Sequence, residues 1–314
     1  MATRVTRAHA AGAQKRSSRF CLALFLALLI SSSWVGSALA WGEEGHQIVA
    51  LIAADRLSAP ARAEVAQILG LQDQAGEVAA AMARISVWPD TLYRREDPAT
   101  EPWHFIDLCL QDRPSDLAAR CPNGDCVVAQ VNQFAQRLRS RSYDHWGGVG
   151  DLAFEIHLIG DLFQPLHAAT DYDLGGNCEK VLSPLRARNL HNAWDDAVVW
   201  QLEAALGTGG TVATARRLQV LYPPTAQQMR WGPDSAAHIA WNSHELALSA
   251  VYQPLGIPLQ PCAPLLSCND LPRRTVVLSS AYFNQSARLA GQQLAAAGYR
   301  LAALLNSIWE PNLK

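Results

Sequence analysis

The chain has 314 residues, of which 49% are hydrophobic and 17% are charged, and its formal net charge is −2. A chain of this length and apolar content can bury a substantial core. Its acidic balance excludes a protein that holds nucleic acid through a basic surface alone.

Residues 1–40 predict a secretory signal peptide. Five basic and no acidic residues stand in 1–19, an apolar run follows from Phe20 to Ile30, and small residues end at Ala40. This is the order of regions in a signal peptide, and the run is too short for a confident membrane span. Cleavage would leave Trp41 as the N-terminus of a domain of residues 41–314. The charge of this domain is −7, because all five charged residues that are lost are basic. We therefore expect a secreted or periplasmic protein without a membrane anchor.

The cysteines predict disulfides. Six of the seven lie after residue 40, and an even number in an exported chain favours pairing, although six cysteines allow fifteen connectivities. Local spacing favours Cys121 with Cys126, across a Pro-Asn-Gly-Asp turn, and Cys262 with Cys268. Cys109 would then pair with Cys178. A cysteine zinc site is disfavoured because no C-x-x-C pair occurs.

Apolar residues recur at helical spacing through most of the chain, and long alternating β-branched runs are scarce. Loops rich in Gly and Pro separate the helical segments, notably at 171–189 and 252–275. The sequence therefore predicts an all-α fold, a single compact multi-helix domain with disulfides. The predicted helices cover 44–57, 127–138, 150–163, 191–206, 213–221, 235–251 and 279–309.

Histidine and aspartate recur together at spacings that suit metal ligands. His157 and Asp161 are four residues apart, as are His191 and Asp195, so each pair shares one face of a helix. Pro165 should end the first of these helices, because proline lacks the amide donor, and it would leave His167 just beyond the break. Imidazole and carboxylate are ligands that zinc prefers when no thiolate is offered.

Two further segments add looser candidates, Asp90 in Trp88-Pro89-Asp90 and His104 in Trp103-His104-Phe105. The three histidines that lack an aspartate at the same spacing are interpreted as surface or core residues. They are His145, His238 and His244.

The motifs occur in a fixed order: W-G-x-x-G-H from Trp41, then W-x-D, W-H-F-I-D, H-x-x-G-D-x-x-Q-P-L-H, G-G-N and N-L-H-x-x-W-D ending at Asp195. This series resembles the zinc-dependent single-strand-specific nucleases, also called 3′-nucleotidases. That family is all-α and shares its trinuclear zinc site with the zinc-dependent phospholipases C.

The resemblance implies three Zn²⁺ ions and assigns their ligands. The freed amine and carbonyl of Trp41, with His46 and one oxygen of Asp161, would hold one zinc ion. The other oxygen of Asp161 would join Asp90, His104 and His157 on the second. His167, His191 and Asp195 would hold the third.

The resemblance also implies substrate contacts and shows one departure. Phe105 would stack on a base, and Asp107 would accept hydrogen bonds from it. Asn177, which follows Gly175 and Gly176, would lie near the phosphate or base. The family has a basic residue three positions after the W-x-D aspartate. This chain has Tyr93 at that position. Either Arg94 substitutes for the missing basic residue, or Tyr93 donates a hydrogen bond instead.

Such a site would activate water to attack phosphorus in line with the leaving 3′ oxygen. The expected enzyme is a monomeric endonuclease that cuts single-stranded DNA and RNA to 5′-phosphorylated products and also acts on 3′-nucleotides. Asp90, Asp161, Tyr93 and Arg94 are the residues expected to act in catalysis. Two alternatives stay open, a zinc-dependent phospholipase C and a non-catalytic exported zinc-binding protein.

Overall fold

A computed structural model describes residue 1 and residues 41–261, 268–271 and 274–310. Apart from Met1, the predicted signal peptide lies outside the described residues, and cleavage before Trp41 stays a prediction. Cys262 lies outside them as well.

The described part of the chain is helical, which confirms the all-α prediction. It contains eleven α-helices: α1 (Glu43–Ala54), α2 (Ala59–Ile68), α3 (Ala75–Ile85), α4 (Trp88–Arg95), α5 (Val127–Ser140), α6 (Gly147–Leu162), α7 (Leu190–Asn192), α8 (Val198–Leu206), α9 (Thr211–Leu221), α10 (Ser235–Leu246) and α11 (Ser280–Trp309). Two π-helical segments extend α7 and α10 (Ala193–Ala197 and Ala247–Tyr252). Short 3₁₀ helices cover Pro98–His104, Pro114–Arg120, Pro122–Gly124, Pro165–His167, Gln253–Leu255 and Cys268–Asp270.

Each of the seven predicted helices is present, with ends that shift by a few residues. The sequence analysis missed α2, α3 and α4, which are short helices of 10, 11 and 8 residues. Helix α2 buries only three of its residues, so its apolar stripe is too weak to identify it. Its beginning is nevertheless marked by Ser58, whose side chain accepts from the backbone amide of Ala61.

Two short strands form, one inside the predicted loop 171–189 and one beginning at the end of the predicted loop 252–275. Strand β1 (Lys180–Leu182) pairs in parallel with β2 (Thr275–Val277), and Val181 lies opposite Val276. This pairing ties loop 171–189 to loop 252–275, although the two are far apart in sequence.

The disulfides are partly those expected. Cys121 pairs with Cys126, as predicted. Cys178 pairs with Cys268, so the predicted pairs Cys262–Cys268 and Cys109–Cys178 are wrong. Sequence proximity favoured a local bridge at Cys268, whereas the β1–β2 pairing brings Cys178 within bonding distance, with the two Cα atoms 5.1 Å apart. Cys109 is also disulfide-bonded.

Helix α1 is the centre of the core and packs against α3, α6, α9 and α11. Helix α11 approaches it closely at Gly298, where an added Cβ would lie 2.5 Å from Cβ of Ile52. This packing sets α1 beside α6, and each of these helices carries a candidate metal ligand. No helix in the described ranges, α11 included, is both long enough and apolar enough to span a bilayer.

Candidate metal centre

Helix α6 and the turn after it position three of the candidate ligands. His157 and Asp161 lie on one face of α6, which ends at Leu162 as Pro165 predicted. The side chain of Gln164 accepts from the backbone amide of Leu166 at 2.7 Å and caps the 3₁₀ turn Pro165–His167. His167 is thereby directed back towards the end of α6.

Eight of the nine candidate ligands converge through their side chains. They form three buried groups, and within each group one ligand atom of every residue lies within 4.8 Å of the others. The first group is His46, His157 and Asp161, the second is Asp90, His104 and His157, and the third is His167, His191 and Asp195.

Asp161 joins the first group to the second. Its Oδ1 lies 3.4 Å from Nε2 of His46, while its Oδ2 lies 3.1 Å from Nδ1 of His104 and 3.3 Å from Nε2 of His157. One carboxylate therefore presents an oxygen to each of two groups, as a bridging ligand does.

Backbone carbonyls select the tautomers of three histidines. Nδ1 of His157 lies 2.7 Å from the carbonyl oxygen of Ser86. Nδ1 of His167 lies 2.8 Å from that of His104, and Nδ1 of His191 lies 2.6 Å from that of Gly175. A carbonyl only accepts, so each Nδ1 carries a proton and donates it. In a neutral ring, Nε2 is then a lone-pair donor, which is how metal-ligating histidines are commonly oriented.

These lone pairs face one another and the carboxylates. Nε2 of His167 and Nε2 of His191 are only 3.1 Å apart, and Nε2 of His157 lies 3.4 Å from Oδ1 of Asp90. Such contacts between electron-rich atoms repel unless a proton or a cation lies among them. The third group has the same character, because Oδ2 of Asp195 lies 3.5 Å from Nε2 of His191.

Buried polar atoms without a hydrogen-bond partner mark the same place. Burial of an unpaired polar group is costly, so each such atom calls for an explanation. Those in the three groups are both ring nitrogens of His46, Nε2 of His104, Oδ1 of Asp90, Oδ1 of Asp161 and Oδ2 of Asp195. A set of imidazole and carboxylate donors with these atoms free fits a cluster of divalent cations.

The pKa values of neighbouring ligands are shifted in opposite directions. Burial lowers the pKa of His157, but the carboxylates of Asp161 and Asp90 outweigh this effect and raise the pKa to about 9. Burial and the neighbouring His157 lower the pKa of His46 to about 3. Burial and the nearby Asp196 raise the pKa of Asp195 well above its usual range. A divalent cation stabilises ionised carboxylates and neutral imidazoles together, which resolves the conflict.

Two further residues position the ligands, and the sequence analysis assigned them no role. The imidazole of His46 stacks on that of His157 at 3.8 Å and lies against Gly160, where an added Cβ would be 2.7 Å from Nδ1 of His46. Gln164, fully buried, donates from Nε2 to Oδ1 of Asp195 at 2.8 Å. Both residues stand inside the H-x-x-G-D-x-x-Q motif, and that location was the only sequence signal for them.

Tyr93 and Arg94 flank the second group. Tyr93 is buried, and its hydroxyl accepts from Nε of Arg94 at 3.2 Å. Nη2 of Arg94 lies 3.1 Å from Oδ2 of Asp90, while Oδ1 of Asp90 faces His157. Arg94 thus reaches back past Tyr93 and neutralises the oxygen of Asp90 that points away from the group.

Phe105 and Asp107, two of the predicted substrate residues, follow His104 on the 104–107 segment. Phe105 is half-buried and Asp107 is exposed. Asn177 is half-buried, donates to the carbonyl of Leu174 and accepts from Asn189.

The two predicted glycines shape the backbone beside His191. Both have positive φ, +60° at Gly175 and +82° at Gly176. The carbonyl of Gly175 accepts from Nδ1 of His191. These glycines therefore help to position the candidate metal ligand His191.

Trp41 is fully buried at the beginning of the described domain. The next backbone amide, of Gly42, donates to the carbonyl of Asp195 at 2.9 Å. The backbone of the predicted N-terminus is thus placed beside the third group.

The three histidines interpreted as surface or core residues lie outside the three groups, as expected. His145 is exposed and pairs with Asp144 at 2.7 Å. His244 is buried and its Nε2 lies 2.9 Å from the carbonyl oxygen of Cys109. His238 is exposed.

Comparison with known proteins agrees with this geometry. The chain belongs to the S1/P1 nuclease family, which it matches over residues 41–310. It is 28% identical over 295 residues to Endonuclease 3 of Arabidopsis thaliana, covering 92% of this chain and 96% of that protein. It is 26% identical over 279 residues to Nuclease S1 of Aspergillus oryzae, covering 85% and 91%, and equally identical over 279 residues to Nuclease P1 of Penicillium citrinum, covering 85% and 97%.

The protein is therefore an enzyme, a nuclease that hydrolyses phosphodiester bonds in nucleic acids. Its three His/Asp groups are the places in the described structure where metal ions would bind. Family membership favours neither the phospholipase C nor the non-catalytic alternative.

Proposed function

We propose that this protein is an exported endonuclease that holds three zinc ions and cuts single-stranded DNA and RNA to 5′-phosphorylated products. It would also remove the phosphate from 3′-nucleotides, and it would act as a monomer. The observation that supports this most is the convergence of three buried His/Asp groups, two of which share His157 and are joined by the carboxylate of Asp161.

The ligand assignment follows the three groups. His46, one oxygen of Asp161 and the freed N-terminus of Trp41 would hold one ion. Asp90, His104, His157 and the other oxygen of Asp161 would hold its neighbour. The third ion would lie on His167, His191 and Asp195.

When bound, zinc supplies Lewis acidity, which neutralises phosphate charge and lowers the pKa of water towards neutrality. The protein residues would position and orient the metal ligands. Asp161 would fix the separation of two sites, because its two oxygens belong to one rigid carboxylate. Arg94 would hold Asp90 in orientation through Oδ2 and add positive charge beside the phosphate. A cationic cluster also explains how a domain with charge −7 attracts a polyanion.

Single-strand preference would come from the residues around the centre. Stacking on Phe105 requires an unpaired base and tolerates any base type. The exposed carboxylate of Asp107 would accept hydrogen bonds from that base, and the second amide N–H of Asn177 would contact the phosphate. Gly175 and Gly176 let the backbone approach closely.

Export and metal loading would be coupled. The amine of Trp41 exists only after the signal peptide is removed, so the complete ligand set would form outside the cytosol. The disulfides Cys121–Cys126 and Cys178–Cys268 fit such an oxidising location.

The test uses the protein starting at Trp41 and loaded with zinc, together with its Asp161→Asn variant. Substrates are single-stranded DNA, RNA, duplex DNA, a 3′-nucleotide and phosphatidylcholine, each with and without chelator. We expect three zinc ions per chain, faster cutting of single strands than of duplex, and products with 5′-phosphates.

Each outcome has a defined meaning. Chelator and Asp161→Asn should both abolish cleavage, while Asp234→Asn, an exposed change on the same scaffold, should not. Equal cutting of duplex and single strands would overturn the preference. Fewer than three zinc ions would overturn the ligand assignment, and head-group release without nucleic-acid cleavage would overturn the substrate.

A further inference from the structure

A surface hollow of about 380 Å³ lies beside the metal centre and is not explained by it. Its lining is largely apolar, and its aromatic components are Trp88, at the beginning of α4, and Trp146, just before α6. Both indoles are half-buried, and their ring centroids are 6.1 Å apart with the planes at 77°. We call this feature the Trp hollow; its rim includes Arg84 and Val149.

The Trp hollow adjoins the site through two elements. The carbonyl of Ser86, between Arg84 and Trp88, accepts from the candidate ligand His157, and Asp90 follows Trp88 by two residues. On α6, Ala153 lines the hollow one turn before His157, about 6 Å along the helix axis. A strand bound at the metal centre would therefore need only a few nucleotides to reach it.

The rim carries a cation that is not paired with any group in the described part of the chain. Arg84 is exposed and forms no ion pair with any residue of the described ranges. In a domain with charge −7, an unpaired arginine beside two indoles is complementary to a phosphate attached to a stacked base.

A second hollow continues the surface. It shares Val149 with the Trp hollow and is lined by Tyr143, Arg141 and Glu64, and Arg141 pairs with Glu64 at 2.7 Å. Val149 is 43% exposed and Tyr143 is 37% exposed, so the aromatic and aliphatic surface between the two hollows is open to solvent. A further aromatic ring, that of Tyr143, thus follows the two indoles along one path.

We propose that the Trp hollow is an accessory subsite that stacks a base of single-stranded nucleic acid a few nucleotides from the bond that is cut. This inference rests on the proposed function. It adds that longer strands bind more tightly than short ones, with Trp146 and Arg84 as the specificity-determining residues. With one base stacked on Phe105 and its phosphate at the metal centre, a dinucleotide has no nucleotide left to bridge the surface between the centre and the hollow.

The first measurement compares KM and kcat for a dinucleotide and for a ten-nucleotide strand of thymidylate. The variants are Trp146→Ala and Arg84→Glu. The second is an exposed change in the last turn of α3, where the reversed charge opposes the helix dipole at a small cost in stability. Each should raise KM for the ten-nucleotide strand by at least about fivefold, the lower end of what loss of one stacked base costs. KM for the dinucleotide and kcat for both substrates should stay at the wild-type values.

Matched controls exclude general effects of charge or of losing an indole. Trp200→Ala removes an indole that is 39% exposed on α8, and Arg216→Glu reverses an exposed charge on α9. Both should keep the wild-type preference for the longer strand. Equal changes on both substrates in the hollow variants, or no change on either, would overturn the proposal.

The second measurement does not depend on cleavage. Fluorescence anisotropy of a labelled ten-nucleotide phosphorothioate strand, which resists cleavage, is recorded on the zinc-loaded protein. It should show weaker binding for Arg84→Glu and Trp146→Ala than for the controls. If the wild type cuts neither substrate but binds the strand through the hollow, the proposed function fails and the subsite stands. If the wild type cuts both substrates with identical KM, the proposed function stands and the subsite proposal fails.

Discussion

The side-chain amide of Gln164 links two parts of the metal centre by donating from Nε2 to Oδ1 of Asp195 at 2.8 Å. The oxygen of the same amide accepts from the backbone of Leu166 at 2.7 Å. One fully buried group thus orients a ligand carboxylate and shapes the turn that delivers His167. Oδ2 of Asp195 is left free for a cation.

Gln164→Leu should lower zinc affinity at the third group by about 10- to 100-fold, the range for outer-shell partners of metal ligands. The reason is that Oδ1 of Asp195 loses the hydrogen bond that Nε2 of Gln164 donates to it. Zinc titration with a competing chelator measures the affinity. Gln130→Leu is the control, because Gln130 is also buried but donates to the carbonyl of Gly124. An equal loss of affinity in both variants would contradict the assigned role.

Gly160→Ala should displace His46 and weaken zinc binding, although alanine favours helix over glycine by about 1 kcal/mol. The added Cβ would lie 2.7 Å from Nδ1 of His46 and 3.0 Å from its Cε1. Gly76→Ala on α3 is the matched control, since no atom lies within 4 Å of its added Cβ. The control should be neutral or stabilising and should keep its zinc. Full zinc content and activity in Gly160→Ala would show that His46 can move without cost.

Removal of zinc should destabilise the fold. Breaking a buried charge pair costs about 3–5 kcal/mol, and in a domain of this size 1 kcal/mol lowers Tm by roughly 2–4 °C. We therefore expect chelation to lower Tm by at least about 5 °C in differential scanning calorimetry. Added zinc should restore it. An unchanged Tm would mean that the three groups are stable without a cation.

Asp173 should make stability depend on pH. Burial raises the pKa of this carboxyl to about 7, although Tyr252 and the backbone amide of Gly176 lower it in part. The folded protein then holds a proton that the unfolded chain has already lost above its own pKa near 3.9. Stability should therefore fall as pH rises from about 4 to about 7, by at most roughly 1.4 kcal/mol per pH unit.

Asp173→Asn should lack this pH-dependent loss of stability. Its urea midpoint should therefore rise relative to that of the wild type as pH increases. Zinc-saturated protein at each pH is used for both chains. A difference between the two midpoints that is constant with pH would rule out the raised pKa.

The disulfides Cys121–Cys126 and Cys178–Cys268 should differ in their contributions to stability. Cys178 and Cys268 are 90 residues apart, whereas Cys121 and Cys126 are five apart. On the chain-entropy model the long loop contributes about 4–5 kcal/mol and the short one about 2 kcal/mol. Urea unfolding of the double serine variants should show the larger loss for Cys178/Cys268. The opposite order would show that the unfolded chain is already constrained near β1 and β2.

Local chemistry made part of the site predictable from the sequence. Residues four apart in a helix share a face, so His157 with Asp161 and His191 with Asp195 could be paired without coordinates. Proline cannot continue a helix, so Pro165 located the break before His167. The ordered series of motifs between Trp41 and Asp195 indicated the family.

The tertiary structure alone decided the remainder, because it depends on contacts between segments distant in sequence. Packing of α1 on α6 sets His46 against Gly160, and the course of the chain after α6 brings Gln164 to Asp195. Pairing of β1 with β2 selected Cys268 as the partner of Cys178, where sequence proximity favoured Cys262. The sequence by itself determined which residues carry the chemistry, since residue type and helical spacing are local. Which oxygen of Asp161 faces which group was decided only by the fold, since that follows from the distances between α1, α6 and the segment that carries His104.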